Sequence, residues 1–340
     1  MDKTRYGVIG LGWFGEKHLE ALAGNPGVEI HALCTRTPER LAQVAERFQV
    51  RRTYTDYREM LADPGLDSVS ITTMWDQHRD PTLAALEAGK HVFLEKPMAS
   101  TVEDCQAIVD AAAASPGKFM VGHICRFNPR YAAAKQAVDE GRLGRIVALY
   151  ARRNLPAWVG SQVLDKIGPI IGDGVHDTDL MLWFTGARIV SAYGQTVAVH
   201  GHKYPDAGHA MYRFDNGATG VIEDVWCLPE KTPFQIDERM EVIGTEGSIQ
   251  VHDTHPNLTI VDGEGVRCPD TTYWPDIHGA CTGALREELN YFVRSIIDDT
   301  PIGVITPQES LEAVRACLAA EESARTGQVV HLDQPGGFEP

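Results

Sequence analysis

The segment Gly10-Leu-Gly12-Trp-Phe-Gly15 constrains this chain more than any other. The run Tyr6-Gly-Val-Ile9 before it has the texture of a strand. Residues 16–23 after it read as a helix with Leu19, Leu22 and Ala23 on one face. In that setting each glycine has its own physical use. Gly10 permits the tight turn, Gly12 lets backbone approach a pyrophosphate, and Gly15 lets the helix lie close against the strand. The helix N-terminus then presents backbone N–H groups and a partial positive charge to the phosphates. Gly10, Gly12, Trp13, Phe14 and Gly15 are therefore expected to cradle a dinucleotide.

Further along, short apolar runs alternate with helical periodicity. Strands are expected at 28–34, 68–72, 91–94 and 119–121, and helices at 38–48, 57–62, 81–88 and 102–114. Gly89 suits a left-handed helix end. Strict alternation calls for a parallel sheet flanked by helices, a doubly wound Rossmann domain over residues 1–126. The texture changes after Phe127-Asn-Pro129. A helix at 131–140 and a strand at 146–153 lead into β-rich segments at 189–199, 210–214, 218–226, 239–244 and 248–252. Asp215-Asn216-Gly217 marks a hairpin among them. Long helices follow at 284–298 and 307–326. The second domain, 127–333, is thus expected to be α+β with a mostly antiparallel open sheet, and 334–340 to be a frayed tail.

Length and charge narrow the function. The 340 residues suffice for two domains, each with its own core. With 31 Lys and Arg against 47 Asp and Glu, the net charge is −16, which repels nucleic acid. The doublets Arg51-Arg52 and Arg152-Arg153 are too short to override that field. No run approaches the ~18 apolar residues of a membrane helix, and the N-terminus lacks the form of a signal peptide, so a cytoplasmic location is expected. Seven dispersed cysteines without a C-x-x-C pair point to reduced thiols rather than a disulfide framework or a zinc site. His200-Gly-His202 is two ligands short of a metal centre, and no metal is expected.

At the end of the second strand, NAD-binding folds place an acid on the ribose hydroxyls. This chain has Cys34-Thr35-Arg36-Thr37 there. A hydroxyl on Thr35 followed by the Arg36 guanidinium suits a ribose 2′-phosphate, so NADP is the expected cofactor, with NAD the alternative.

The sequence resembles the Gfo/Idh/MocA family, named for glucose–fructose oxidoreductase and inositol dehydrogenase. The likeness rests on Ala85-Leu-Glu-Ala-Gly89-Lys-His-Val-Phe-Leu-Glu95-Lys96-Pro97, which carries the E-K-P signature, and on His78 before it. Arg126-Phe-Asn128-Pro129, Gly144-Arg-Ile146, Gly244-Thr-Glu-Gly247-Ser-Ile249 and Glu322-Ser-Ala-Arg-Thr-Gly327 follow in order. Met74-Trp75 depart from the family's Pro-Asn. The resemblance implies an oxidoreductase moving hydride between nicotinamide and a carbinol or keto carbon of a sugar, cyclitol or nucleotide sugar, assembled as a homodimer or homotetramer. Thr73, His78, Glu95 and Lys96 join the cofactor-binding candidates, and Lys96, His123, Arg126, Asp173 and His176 are the substrate-binding ones.

The chemistry is legible in the residues themselves. Lys96 ends a parallel strand, on the sheet edge where α/β folds bind ligands, and Pro97 is expected to hold it extended. An ammonium there stabilises negative charge developing on a substrate oxygen. In Gly172-Asp173-Gly174-Val175-His176-Asp177-Thr178-Asp179, either Asp173 or Asp179 can share a helix face with His176. An imidazole held by a carboxylate is suited to exchange a hydroxyl proton. The family implies that His176 is this base, with Lys96 assisting. Its aspartate, however, stands four residues before the histidine, where this chain has Gly172, and Asp173 comes one place late. Trp158 and Trp226 are candidates for stacking on a ring or for packing. Two other readings stay open: redox-neutral glycoside cleavage with bound NAD, and a catalytically silent dinucleotide-sensing regulator.

Overall fold

The computed structural model describes residues 3–252 and 257–332. The expected tail at 334–340 lies outside the described residues. The chain runs β1 (Thr4–Ile9), α1 (Trp13–Ala23), β2 (Val28–Cys34), α2 (Pro38–Phe48), β3 (Arg52–Tyr54), α3 (Tyr57–Leu61), β4 (Ser68–Ile71), α4 (Arg79–Glu87), β5 (His91–Glu95), α5 (Val102–Ala114) and β6 (Phe119–Gly122). Next come α6 (Pro129–Asp139), β7 (Ile146–Asn154), α7 (Ala157–Gly160), α8 (Pro169–Gly172), α9 (Gly174–Thr185), β8 (Ile189–Val197), β9 (Ala207–Phe214), β10 (Thr219–Val225), β11 (Asp237–Gly244) and β12 (Ser248–His252). Two small two-stranded pairs separate β12 from α10 (Ala284–Ile297) and α11 (Pro307–Thr326), and residues 330–331 add a last edge strand to the second sheet.

Two compact units result: residues 1–128 with 272–311, and residues 129–271 with 312–340. The first holds a six-stranded parallel sheet in the order β3-β2-β1-β4-β5-β6. Strands β4, β5 and β6 are buried on both faces, as parallel strands covered by helices require. Val8, Leu11, Leu19, Leu33, Leu41 and Val44 close one core where α1 and α2 meet β1 and β2. Burial of one such leucine contributes about 1.5–3 kcal/mol. α1 begins at Trp13 rather than at residue 16, because Gly12 is the N-cap and the last turn of the glycine motif is already helical.

One boundary differs from the sequence reading. Residues 272–311, expected in the second domain, belong to the first unit. The reason is aromatic packing that spans the chain. Phe292 of α10 sets its ring edge-on to Tyr6 of β1 (6.4 Å) and Phe93 of β5 (5.6 Å), and Asn290 on the same helix accepts from Asn25 at 2.7 Å. No local pattern announces such a return.

The second unit holds a seven-stranded sheet with β12-β11-β7-β10-β9-β8 and the edge strand in that order. It is antiparallel except for β7 and β10, which run parallel. The β9–β10 hairpin turns at Asp215-Asn216-Gly217, where Gly217 takes φ 86°, a left-handed value that favours glycine. On the buried face of β10, Gly220 lies against Met181, Ile222 and Asp224 against Gly174, and Trp226 against Gly172. The strand therefore tracks α9 backwards into α8.

Candidate active site

The chemistry-bearing residues form two groups, one in each unit. In the first, the C-terminal ends of β1, β4 and β5 lie side by side in the sheet. They carry Gly10, Thr72-Thr73 and Lys96 to one edge. Gly10 has φ 100°, and a Cβ built there would stand 2.7 Å from the Thr72–Thr73 backbone. The Thr72 hydroxyl donates to the Gly10 carbonyl at 2.6 Å, and Arg40 of α2 donates to the Leu11 carbonyl at 2.7 Å, so the turn is held from two sides. A Cβ on Gly15 would meet the Gly10 oxygen at 2.1 Å, the close helix–strand approach that the motif requires. At Gly12, by contrast, a Cβ would meet nothing within 4 Å, and no side chain caps α1. Open space beside the first N–H groups of a helix fits a pyrophosphate. Trp13 is exposed and packs edge-on against Trp274 at 5.4 Å. Phe14 contacts the same indole at 5.7 Å, a neighbour from α10's side of the chain that the motif did not reveal.

At the end of β2, Arg36 is exposed and donates to the Gln77 amide oxygen at 2.9 Å, a neutral rather than an acidic partner. His78 is buried with both ring nitrogens facing carbonyl oxygens, Nδ1 to Pro97 (2.8 Å) and Nε2 to Thr73 (3.0 Å). Burial holds its pKa below the usual histidine value. A neutral imidazole has one N–H, so the ring lies between the segments after β4 and β5 and donates to one of the two carbonyls. The Lys96–Pro97 peptide is cis. Lys96 itself is partly buried. Glu95 turns inward, accepting from its neighbour's backbone N–H at 3.2 Å and from His18 at 2.9 Å. His123 follows β6 and is buried. Arg126 is 3% exposed and donates to the Val304 carbonyl (2.7 Å) and to Glu309 (3.2 Å), which makes it a brace inside this unit.

In the second unit, α9 carries the other group. Asp173 is its N-cap residue, partly buried, and no side chain caps the helix end. His176, two residues into the helix, is 6% exposed, and its backbone N–H donates to the Asp173 carbonyl at 2.9 Å. The sequence reading missed the neighbouring Asp177. It is fully buried and pairs with Arg153 of β7 (3.1 Å), which also pairs with Glu238 of β11 (3.0 Å). Asp224 lies in the same buried region, with neither carboxyl oxygen bonded among the described residues. Burial first, then the neighbouring carboxylates, push Asp177 up to about 6 and Asp224 well above the carboxylate range. Through Arg153, Asp177 anchors α9 to β7 and β11. Asp179 is also fully buried.

The missing aspartate at 172 has a steric cause. A Cβ there would stand 2.5 Å from Trp226 Cη2. Trp226 is 2% exposed and packs with Leu155 and Leu164, so of its two candidate roles it serves packing, whereas Trp158 is exposed. His200 pairs with Asp206 (2.6 Å), and the described residues contain no group of three or more His, Cys, Asp or Glu able to hold a metal. None of the seven cysteines is in a disulfide. No helix among the described residues is long and apolar enough to cross a membrane.

Comparison with known proteins agrees with this layout. Residues 4–123 match the oxidoreductase family, NAD-binding Rossmann fold, and residues 131–250 the GFO/IDH/MocA C-terminal domain. The chain is 30% identical to scyllo-inositol 2-dehydrogenase (NAD(+)) of Bacillus subtilis, over 97% of each protein. It is 25% identical to myo-inositol 2-dehydrogenase of Thermotoga maritima, over 97% of this chain and 99% of that one. Scyllo-inositol dehydrogenase of Lactobacillus casei, solved with NAD(H) and scyllo-inositol, shares the fold with a TM-score of 0.84 at 23% identity, over 98% of this chain and 100% of that one. With both family models matched in order and the glycine cradle built as they require, this chain belongs to the Gfo/Idh/MocA family and is a nicotinamide-dinucleotide-dependent oxidoreductase of the inositol-dehydrogenase-like kind.

Proposed function

We propose that the enzyme interconverts a secondary hydroxyl and a ketone on a cyclitol ring, with Lys96, His176 and Asp173 as the groups that handle the proton and the oxygen. The observation that carries this reading is the alignment of Lys96 with Gly10 and Thr73 on one sheet edge, in a chain 30% identical to an inositol dehydrogenase. When bound, the nicotinamide supplies the two-electron hydride acceptor. His176 takes the hydroxyl proton as the carbinol C–H pair leaves, and Asp173 orients its imidazole. The Lys96 ammonium stabilises the charge that builds on the oxygen. Removing either group from the transition state costs about 10²–10⁴-fold in rate.

The ribose end is assigned to Thr35 and Arg36, with NADP favoured over NAD. Its support is an exposed guanidinium whose hydrogen-bond partner among the described residues is the neutral Gln77 amide. Assembly as a homodimer or homotetramer is assigned to the open face of the second sheet. There Met211 (54% exposed) and Ile243 (46%) stand on the same side as Tyr150 and Val221.

The test is nicotinamide absorbance with a panel of cyclitols, hexoses and nucleotide sugars, each with NAD and NADP, for the wild type, Lys96→Ala, His176→Ala and Arg36→Ala. Turnover of a cyclitol that both site variants lose supports the reading. Turnover of no carbinol despite dinucleotide binding refutes it. Release of aglycone from a glycoside without net NADH would then favour redox-neutral cleavage, and binding without any turnover would favour the regulator.

A further inference from the structure

A chain of buried polar groups runs through the core of the first unit and ends at the lysine. Tyr6 (0% exposed) bonds Ser70 at 2.9 Å, Ser70 bonds His18 Nδ1 at 3.0 Å, and His18 Nε2 bonds Glu95 Oε1 at 2.9 Å. The other Glu95 oxygen accepts from the Lys96 backbone N–H at 3.2 Å. One direction of donation satisfies every group: Tyr6 donates to Ser70, Ser70 to Nδ1 of a neutral imidazole, and Nε2–H to a carboxylate that only accepts. The imidazole is pinned by rings as well, edge-on to Phe14 (5.2 Å) and Phe93 (5.4 Å). Room for the carboxylate comes from Gly122 on β6, where a Cβ would stand 2.8 Å from Glu95 Oε1.

On the other side of Lys96, His78 holds the Pro97 carbonyl at 2.8 Å. The residues before and after the lysine are therefore each gripped by a buried imidazole. One imidazole sits on α1, the helix that opens from the glycine turn. The other sets its Nε2 3.0 Å from the Thr73 carbonyl beside that turn, a contact the ring does not bond while its single N–H goes to Pro97. Four buried polar side chains in the core of this unit are expensive unless every one is satisfied.

We infer that His18, acting through Glu95, is a positioning residue for Lys96. It fixes the direction of the ammonium and ties it to the helix that receives the dinucleotide. This rests on the role proposed for Lys96.

The experiment compares wild type, His18→Leu, His18→Gln and Lys96→Ala for kcat and KM with the best cyclitol of the panel, for dinucleotide affinity by fluorescence titration, and for Tm. The glutamine amide N–H stands near the place of Nε2 and can still donate to Glu95. The leucine fills the space without a donor. The expected result for His18→Leu is a kcat lower by about 10-fold or more, with dinucleotide Kd and KM within about threefold of wild type. His18→Gln recovers most of that kcat. If His18→Leu does not fold, His18→Asn, whose amide is too short to reach Glu95, takes its place. Equal kcat in all His18 proteins, or a kcat loss matched by an equal weakening of dinucleotide binding, overturns the inference. Full activity in Lys96→Ala would instead sink the reading of Lys96 on which it stands.

Discussion

Placing the family's aspartate back at position 172 should fail for a reason that can be measured. A Cβ at Gly172 would stand 2.5 Å from Trp226 Cη2 and 3.1 Å from Cζ2. The indole cannot retreat easily. It is 2% exposed, packs with Leu155 and Leu164, and its own Cβ lies 3.0 Å from where a Cβ on Gly160 would be. Overpacking of this kind costs about 1–3 kcal/mol, so Gly172→Ala should lose that much stability. Gly172→Asp should lose more, since a carboxylate would enter the same closed space. Trp226→Phe removes both clashing atoms. In a double-mutant cycle by urea denaturation, Gly172→Ala with Trp226→Phe should show a coupling of about 1 kcal/mol or more, the pair being less destabilised than the two single changes predict. Additivity within about 0.5 kcal/mol would refute the steric account. The acid at 173 would then need another explanation than displacement by the indole.

Glu321 of α11 is half-buried and accepts from the Ile171 backbone at α8. Burial lifts its carboxyl from 4.5 to about 7, so the folded protein holds this proton more tightly than the unfolded chain. Its contribution to stability should fall as pH rises from about 4.5 to about 7 and stay level above. Glu321→Gln should remove that slope and gain up to about 3 kcal/mol near pH 8, and parallel stability–pH curves for the two proteins would contradict this. Arg153→Leu leaves Asp177, Glu238 and Asp224 buried without their cation and should cost about 3–5 kcal/mol at neutral pH. The loss should shrink below pH 6, where Asp177 takes up its proton; denaturant midpoints across pH decide it. Gly15→Ala, with its Cβ 2.1 Å from the Gly10 oxygen, should weaken dinucleotide binding at least about 10-fold in a fluorescence titration, and unchanged affinity would mean that the cradle lies elsewhere.

Much of this molecule is written locally. The glycine turn, β2, α2, α5, β12 and α11 follow from residue periodicity and from caps within a few positions, because helices and strands repeat over distances a short window contains. The Asn216-Gly217 hairpin is equally local, since a left-handed φ selects glycine whatever lies beyond. Lys96 and His176 can be proposed from sequence because each sits inside a short motif. Other features needed the whole fold. Residues 272–311 join the first unit because Phe292 finds Tyr6 and Phe93, some 200 to 290 positions away. The parallel pairing of β7 with β10 brings Asp224 and Trp226 beneath α8 and α9, and the indole then explains the glycine at 172. Nothing in the local sequence singles out His18, which stands on α1 beside Leu19. Only the order of strands in the sheet supplies Ser70 and Glu95 as its partners. Periodicity encodes which face of an element is buried; what that face meets depends on contacts between residues far apart in the chain, and those exist only once the sheet has formed.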